Sequence, residues 1–195
     1  MQLADHGRRA AARASQRHGI RGFPAGFTLI EVMIGLVIAG ILLVLAVPNY
    51  REWIADEQLM SHARLLAEHM NLARSEAIKR GHRVNLCKSS DGAQCASAGR
   101  WDQGFLMHGD FDVSGDVAGP DTIIRVQPPP TQIQVSANKP LADYVSYTSL
   151  GQARMLNGAL QMGTFTVCKP GRRAVEVVLV ASGRVRIDRI KAICP

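Results

Sequence analysis

Residues 27–47, FTLIEVMIGLVIAGILLVLAV, decide the fold of this chain. The stretch has twenty-one residues and one charge, Glu31. An α-helix rises about 1.5 Å per residue, so a helix of this length spans roughly 30 Å, the thickness of a bilayer's hydrocarbon core. The run therefore reads as a transmembrane helix. Five arginines precede it (Arg8, Arg9, Arg13, Arg17, Arg21) against one acid, Asp5. That asymmetry predicts a cytoplasmic N-terminus and places everything after Pro48 outside the cytoplasm. A secretory signal is disfavoured: its apolar core runs to about 7–15 residues, and no small-x-small cleavage site follows here.

Glu31 is the anomaly. A carboxylate inside an apolar span costs on the order of 2.5–3.5 kcal/mol, so it requires a partner or a function. The residues around it, Gly26-Phe27-Thr28-Leu29-Ile30-Glu31, resemble the processing site of type IV pilins and pseudopilins. In that family a prepilin peptidase cuts after the glycine and methylates the new N-terminal Phe, here Gly26 and Phe27. The resemblance implies that Glu31 pairs with a neighbouring subunit's N-terminus during assembly. Pro48 falls where such pilins often carry a proline, while a leader of residues 1–26 is long for the common pilin class.

The helix should continue through residues 49–80. Leu59, Ala63, Leu66, Met70, Ala73 and Ala77 recur at spacings of four and three, a one-sided apolar stripe expected to pack on the protein's own sheet. Arg51, Glu52, Asp56, Glu57, Arg64 and Glu68 supply polar faces, Pro48 should kink the helix, and Gly81 should stop it. His62 and His69 share a face, expected to be solvated rather than to bind a metal.

From His82 onward, short apolar runs are broken by Gly, Pro, Asp and Ser. Strands are expected over 83–87, 104–107, 122–126, 132–135, 144–147, near Leu160, and over 164–168, 175–180 and 185–190. Pro128-Pro129-Pro130 separates two halves of this set. The reading is an α+β, pilin-like chain: a leader over 1–26, a transmembrane helix over 27–48, its amphipathic continuation over 49–80, and a periplasmic antiparallel β-sheet or β-sandwich domain over 81–195.

The formal net charge is +7. Without residues 1–26 it falls to 18 basic against 15 acidic residues, or +3. Residues 169–195 alone carry seven basic and two acidic residues, so a basic segment sits on a near-neutral body and points to a local anionic partner. Four cysteines follow the span, in an oxidising compartment. Of three pairings, the favoured one is Cys87–Cys95, a short loop, with Cys168–Cys194, a clamp on the C-terminus. A zinc site is the rival; the C-x7-C spacing and the absence of nearby His stand against it. No cofactor or metal is expected.

Leu86-Cys87-Lys88-Ser89-Ser90-Asp91-Gly92 with Cys95, then Trp101, Gly104, an Asp-rich turn and Ile123-Ile124-Arg125, is similar to the GspH/FimT family of minor pseudopilins and minor pilins. The similarity does not separate the secretion branch from the pilus branch. It implies partners among the other pilins or pseudopilins of a filament and residence in the inner membrane, then in a pilus or pseudopilus.

The stretch Ala181-Ser182-Gly183-Arg184-Val185-Arg186-Ile187 reads as a hairpin turn at Ser-Gly followed by a strand that points Arg184 and Arg186 to one side. Residues two apart on a strand lie about 6.5–7 Å apart, close to the spacing of neighbouring phosphates, so each guanidinium can grip one. Arg172, Arg173, Arg189 and Lys191 are near enough in sequence to extend the patch. Gly183-Arg184-x-Arg186 also resembles the C-terminal Gly-Arg-x-Arg motif of FimT-type minor pilins, which bind DNA in natural transformation. That resemblance implies non-specific, salt-sensitive backbone contacts to double-stranded DNA. The alternatives are a solvated strand face with edge-protecting charge and a GspH-like pseudopilin of type II secretion with a structural role.

Asp110-x-Asp112-x-Ser114-Gly115-Asp116, with Asp121, loosely resembles a calcium loop, but Asp and Gly are also ordinary turn residues. No P-loop, H-E-x-x-H or triad context is present, so an enzyme is not expected.

Overall fold

Thr28 opens the long helix. Its hydroxyl accepts the Glu31 N–H at 3.3 Å, and its carbonyl accepts the Val32 N–H at 3.2 Å. Thr28 and Glu31 stand in the T-x-x-E spacing of a capping box, with the carboxylate in the first turn, where the helix dipole favours negative charge. In this computed structural model residues 26–118 and 122–195 are described, without the side chains of Leu45, Pro48 and Asn49. The leader arginines, most of the leader and Asp121 lie outside the described residues.

Helix α1 runs over Leu29–Arg80, its backbone continuing through Pro48. The chain divides into two units, one ending at Leu45 and the other covering Ala46–Pro195. In the first, every described side chain of α1 is exposed. Among the described residues no helix is long and apolar enough to cross a membrane. The apolar run of the sequence continues to Val47 through Leu45.

In the second unit, the α1 stripe Leu59, Ala63, Leu66, Met70, Ala73 and Ala77 is buried. Gly81, at φ 72°, ends the helix and donates its N–H to the Ala77 carbonyl at 3.1 Å. Among the described residues eight antiparallel strands follow: β1 (Arg83–Lys88), β2 (Phe105–Asp110), β3 (Ile123–Gln127), β4 (Gln134–Ala137), β5 (Tyr144–Tyr147), β6 (Gly163–Cys168), β7 (Arg173–Leu179) and β8 (Val185–Ile193). They form two four-stranded sheets, ordered β3-β2-β1-β5 and β4-β6-β7-β8. The three prolines at 128–130 lie where the chain leaves the first sheet for the second. The stripe of α1, Val84, Leu86 and Met107 of the first sheet, and Phe165, Val167, Val177 and Leu179 of the second share one core.

Both faces of β1 and β2 are buried. The second face carries polar groups, so it is covered and internally bonded: Asn85 donates to Asp110 Oδ2 at 2.6 Å, and Arg83 donates to Ser146 Oγ at 2.6 Å and to the Arg154 carbonyl at 3.0 Å. Cys87 is bonded to Cys95 and Cys168 to Cys194, each with Cα atoms 5.6 Å apart. His108 gathers with Cys87 and Cys95 within 4.8 Å, but those sulfurs are joined to each other and offer no thiolate to a metal.

His69 departs from the sequence expectation of a solvated face. It is buried, its Nδ1 lies 2.8 Å from the Leu65 carbonyl, and its ring meets Phe105 edge-on at 5.1 Å. The start of β2 crosses over that turn of α1, which helix periodicity does not reveal. His62, one stripe earlier, is half-buried, and burial lowers its pKa.

Candidate nucleic-acid interface

The last hairpin is a five-residue connection between Leu179 and Val185, which pair directly. Gly183 donates its N–H to the Val180 carbonyl at 2.8 Å, and Val180 donates to the Arg184 carbonyl at 3.1 Å. Ala181 and Ser182 are therefore the central turn residues, one position earlier than the expected Ser-Gly, and Gly183 follows at φ 81°. Gly183 does more than turn the chain. A Cβ there would lie 2.1 Å from the Gly151 carbonyl oxygen. The same oxygen accepts a hydrogen bond from Arg74 Nε of α1 at 2.9 Å, and Ala153 donates to the Ala181 carbonyl at 3.2 Å. The hairpin is thus docked on the 148–153 loop, and through it on α1, with a glycine at the point of closest approach.

Strand β8 is an edge of its sheet. Val185 and Ile187 pack partly against the core, while Arg184 and Arg186 are exposed. Period-two alternation places both arginines on the outward face, with Asp188 two residues beyond. Arg186 Nε lies 3.0 Å from Asp188 Oδ2, and Glu176 on β7 stands directly across from Asp188.

The remaining basic residues are distributed differently from the expected extension of the patch. Arg172 turns to α1, 3.6 Å from Glu52 and 3.7 Å from Asp56, and Lys169 donates to Gln58 Oε1 at 2.8 Å. Arg189 pairs in register with buried Val175, so alternation assigns it to the Val185–Ile187 face, opposite Arg184 and Arg186. Lys191 lies in the irregular stretch between the Val175–Arg189 and Arg173–Ile193 pairs, and Arg173 is exposed at the start of β7. The structure therefore brings together Arg184 and Arg186 and separates Arg172 and Arg189 from them. Sequence reasoning missed Arg74 and Gly151, the supports of the hairpin; the Thr148-Ser-Leu-Gly151 turn chemistry was legible, its contact with Gly183 was not.

The Asp-rich turn is bonded internally around Ser114. Asp112 Oδ1 accepts the Ser114 N–H at 3.0 Å, and hydrogen bonds from Ser114 hold the Asp112 pKa down. Asp110, at the end of β2, is buried and accepts from Asn85 through Oδ2, while Asp121 lies outside the described residues.

A long N-terminal helix packed on two antiparallel sheets, preceded by Gly26-Phe27 and with Glu31 in its first turn, defines a pilin-like subunit. Residues 24–47 match the prokaryotic N-terminal methylation motif, and residues 62–183 match the family described as Type II transport protein GspH. The chain belongs to that GspH family of minor type IV pilins and pseudopilins. It is similar to the type IV major fimbrial protein FimA of Dichelobacter nodosus, 29% identical over 152 residues, which cover 75% of this chain and 90% of that protein. A fimbrial protein of the same organism is 28% identical over 152 residues, covering 75% and 91%. Two crystal structures of the type IV minor pilin FimU of Pseudomonas aeruginosa share the fold, with TM-scores of 0.51 and 0.54 at 19% and 18% identity. They cover 69% and 73% of this chain and 99% of each solved chain. The family is structural, built for assembly with other pilins, and the methylation motif marks subunits assembled into a pilus or pseudopilus from the membrane.

Proposed function

We propose that this chain is a minor pilin of a type IV pilus that captures double-stranded DNA through the outward face of its last hairpin, for uptake in natural transformation. A prepilin peptidase cuts between Gly26 and Phe27 and methylates Phe27. Residues 27–48 hold the mature subunit in the inner membrane, with the β domain in the periplasm, until Glu31 pairs with a neighbouring subunit's N-terminus and draws it into the filament. The run of twenty-one residues with one charge supports the membrane step.

The observation that carries DNA capture is the pair Arg184 and Arg186, exposed at the end of the last hairpin turn and at the start of the edge strand it opens, with the turn docked by Gly183 against the Gly151 carbonyl. A docked backbone presents two forked cations about 7 Å apart without ordering cost at the turn. Two phosphate contacts give a log K against log salt slope of about −1.8, or a roughly twelvefold loss between about 50 and 200 mM salt. The test is fluorescence anisotropy of labelled duplex DNA with the full chain in non-ionic detergent, beside Arg184→Gln/Arg186→Gln. Binding with that slope, lost in the double variant, supports the reading. No binding, or binding indifferent to the variant, overturns it. A type II secretion pseudopilin is the second reading, favoured by Asp188 and Glu176, whose charges offset those of the two arginines on the same face.

A further inference from the structure

The outward face of the β4-β6-β7-β8 sheet is ruled into rows by its register. One row runs Thr164, Val178, Arg186; the next runs Ser136, Thr166, Glu176, Asp188. Val180 and Arg184 close the hairpin beyond the first. Strands lie about 4.8 Å apart and successive rows on one face about 7 Å apart. A cationic end of the face is therefore bounded, one row away, by two carboxylates. The contact across that boundary is already made: Arg186 Nε and Asp188 Oδ2 are 3.0 Å apart, with side chains 67% and 43% exposed. An ion pair this exposed is weak and exchangeable.

We propose that Asp188, with Glu176 opposite it, is the strength- and path-limiting element of the phosphate site. Asp188 occupies the Arg186 guanidinium when no phosphate is bound, and an incoming phosphate must displace it. The Glu176–Asp188 row repels the polyanion from the lower part of the sheet. Nucleic acid is thereby confined to the hairpin end, crossing β8 at Arg184 and Arg186 instead of following the strand toward the C-terminus. The thresholded site engages DNA weakly and releases it readily with salt, as suits a subunit that must hand its cargo on. This rests on the phosphate-binding reading of Arg184 and Arg186.

The test extends the same titration, with the full chain in non-ionic detergent, to Asp188→Asn, Glu176→Gln and, as a distant charge control on α1, Glu57→Gln. Removing one unit charge about 7 Å from a phosphate in water is worth about threefold before screening. Asp188→Asn should bind about threefold tighter or more at about 50 mM salt, with a slope that stays near the value of about −1.8 for two phosphate contacts. Glu176→Gln should tighten binding less, and Glu57→Gln should not change it. Binding by Asp188→Asn alone, with a silent wild type, overturns both, because the proposal rests on phosphate capture by the wild-type chain. Wild-type binding that depends on the two arginines but is not tightened by Asp188→Asn beyond the Glu57→Gln control overturns the proposal and leaves the DNA reading standing. Silence from both wild type and Asp188→Asn overturns both.

Discussion

Replacing Gly183 by alanine tests the account of how the hairpin is held. The added Cβ meets two penalties. Gly183 sits at φ 81°, a left-handed conformation that costs an L-residue about 1–2 kcal/mol. The methyl would also stand 2.1 Å from the Gly151 carbonyl oxygen and 3.2 Å from its carbon. These are backbone atoms, and the oxygen is already engaged by Arg74. Relieving the clash means moving the 148–151 turn or the hairpin by about 1 Å, and overpacking of this kind costs about 1–3 kcal/mol. The sum is about 2–5 kcal/mol. Gly171→Ala separates the two terms: Gly171 has φ 74°, but no heavy atom lies within 4 Å of its added Cβ. It should lose only the conformational part, leaving a difference of about 1–3 kcal/mol, or roughly 3–10 °C in Tm for a unit this size. The assay is thermal unfolding of the full chain in non-ionic detergent, disulfides intact, followed by near-ultraviolet circular dichroism. Equal losses in the two variants would refute the docking argument, because the steric term would then be absent.

Other consequences are independent of that contact. Opening the disulfides should cost about 2.5 kcal/mol for Cys87–Cys95 and about 3.5 kcal/mol for Cys168–Cys194, since the closed loops differ in length at sequence separations of 8 and 26. Paired Cys→Ser variants compared by urea unfolding check the order. Tyr147→Phe should be neutral or stabilising by up to about 1 kcal/mol, because the Tyr147 hydroxyl is buried without a hydrogen-bond partner among the described residues; a loss of stability would mean the hydroxyl is satisfied. Burial holds the His62 pKa below 6.5, so on acidification the unfolded chain takes up that proton first. Stability should therefore fall as pH drops from about 6.5 through the folded pKa, and His62→Gln should flatten that part of a Tm-against-pH profile. Arg172→Gln should leave DNA affinity and its salt slope unchanged, because Arg172 faces Glu52 and Asp56; a slope shallower by about 0.9 would return it to the phosphate site.

The elements were legible because their signals are local. A twenty-one-residue run with one charge, and a stripe from Leu59 to Ala77 at spacings of three and four, both specify helix from within a few turns. Tyr144–Tyr147 carries β-branched and aromatic residues between turn signals, and the strand falls on the residues expected. Elsewhere boundaries moved by one to three residues, except that the strand expected near Leu160 is only an isolated bridge to Arg154. β8 reaches Ile193, because the Cys194 N–H donates to the Arg172 carbonyl, the Gly171 N–H donates to the Cys194 carbonyl, and the Cys168–Cys194 bridge keeps the last strand on the sheet. Less legible was FLMHGD over Phe105–Asp110, whose two faces are both buried, so polar and apolar residues do not alternate with exposure.

By itself the sequence determined the architecture: a long capped helix, an antiparallel β domain, four cysteines suited to two bridges, and a hairpin ending in Gly-Arg-x-Arg. Periodicity, turn chemistry and composition act over a few residues, and a single chain displays them directly. Tertiary structure alone decided what each charge and glycine does. Seven basic residues near the C-terminus read as one patch, yet folding sends Arg172 to α1 residues more than a hundred positions away, turns Arg189 to the other face and gives Arg186 the carboxylate of Asp188. Gly183 reads as a turn residue and proves to be a point of contact with Gly151. The physical reason is that an electrostatic or steric role depends on the neighbour within a few ångströms, and that neighbour is supplied by the packing of distant segments.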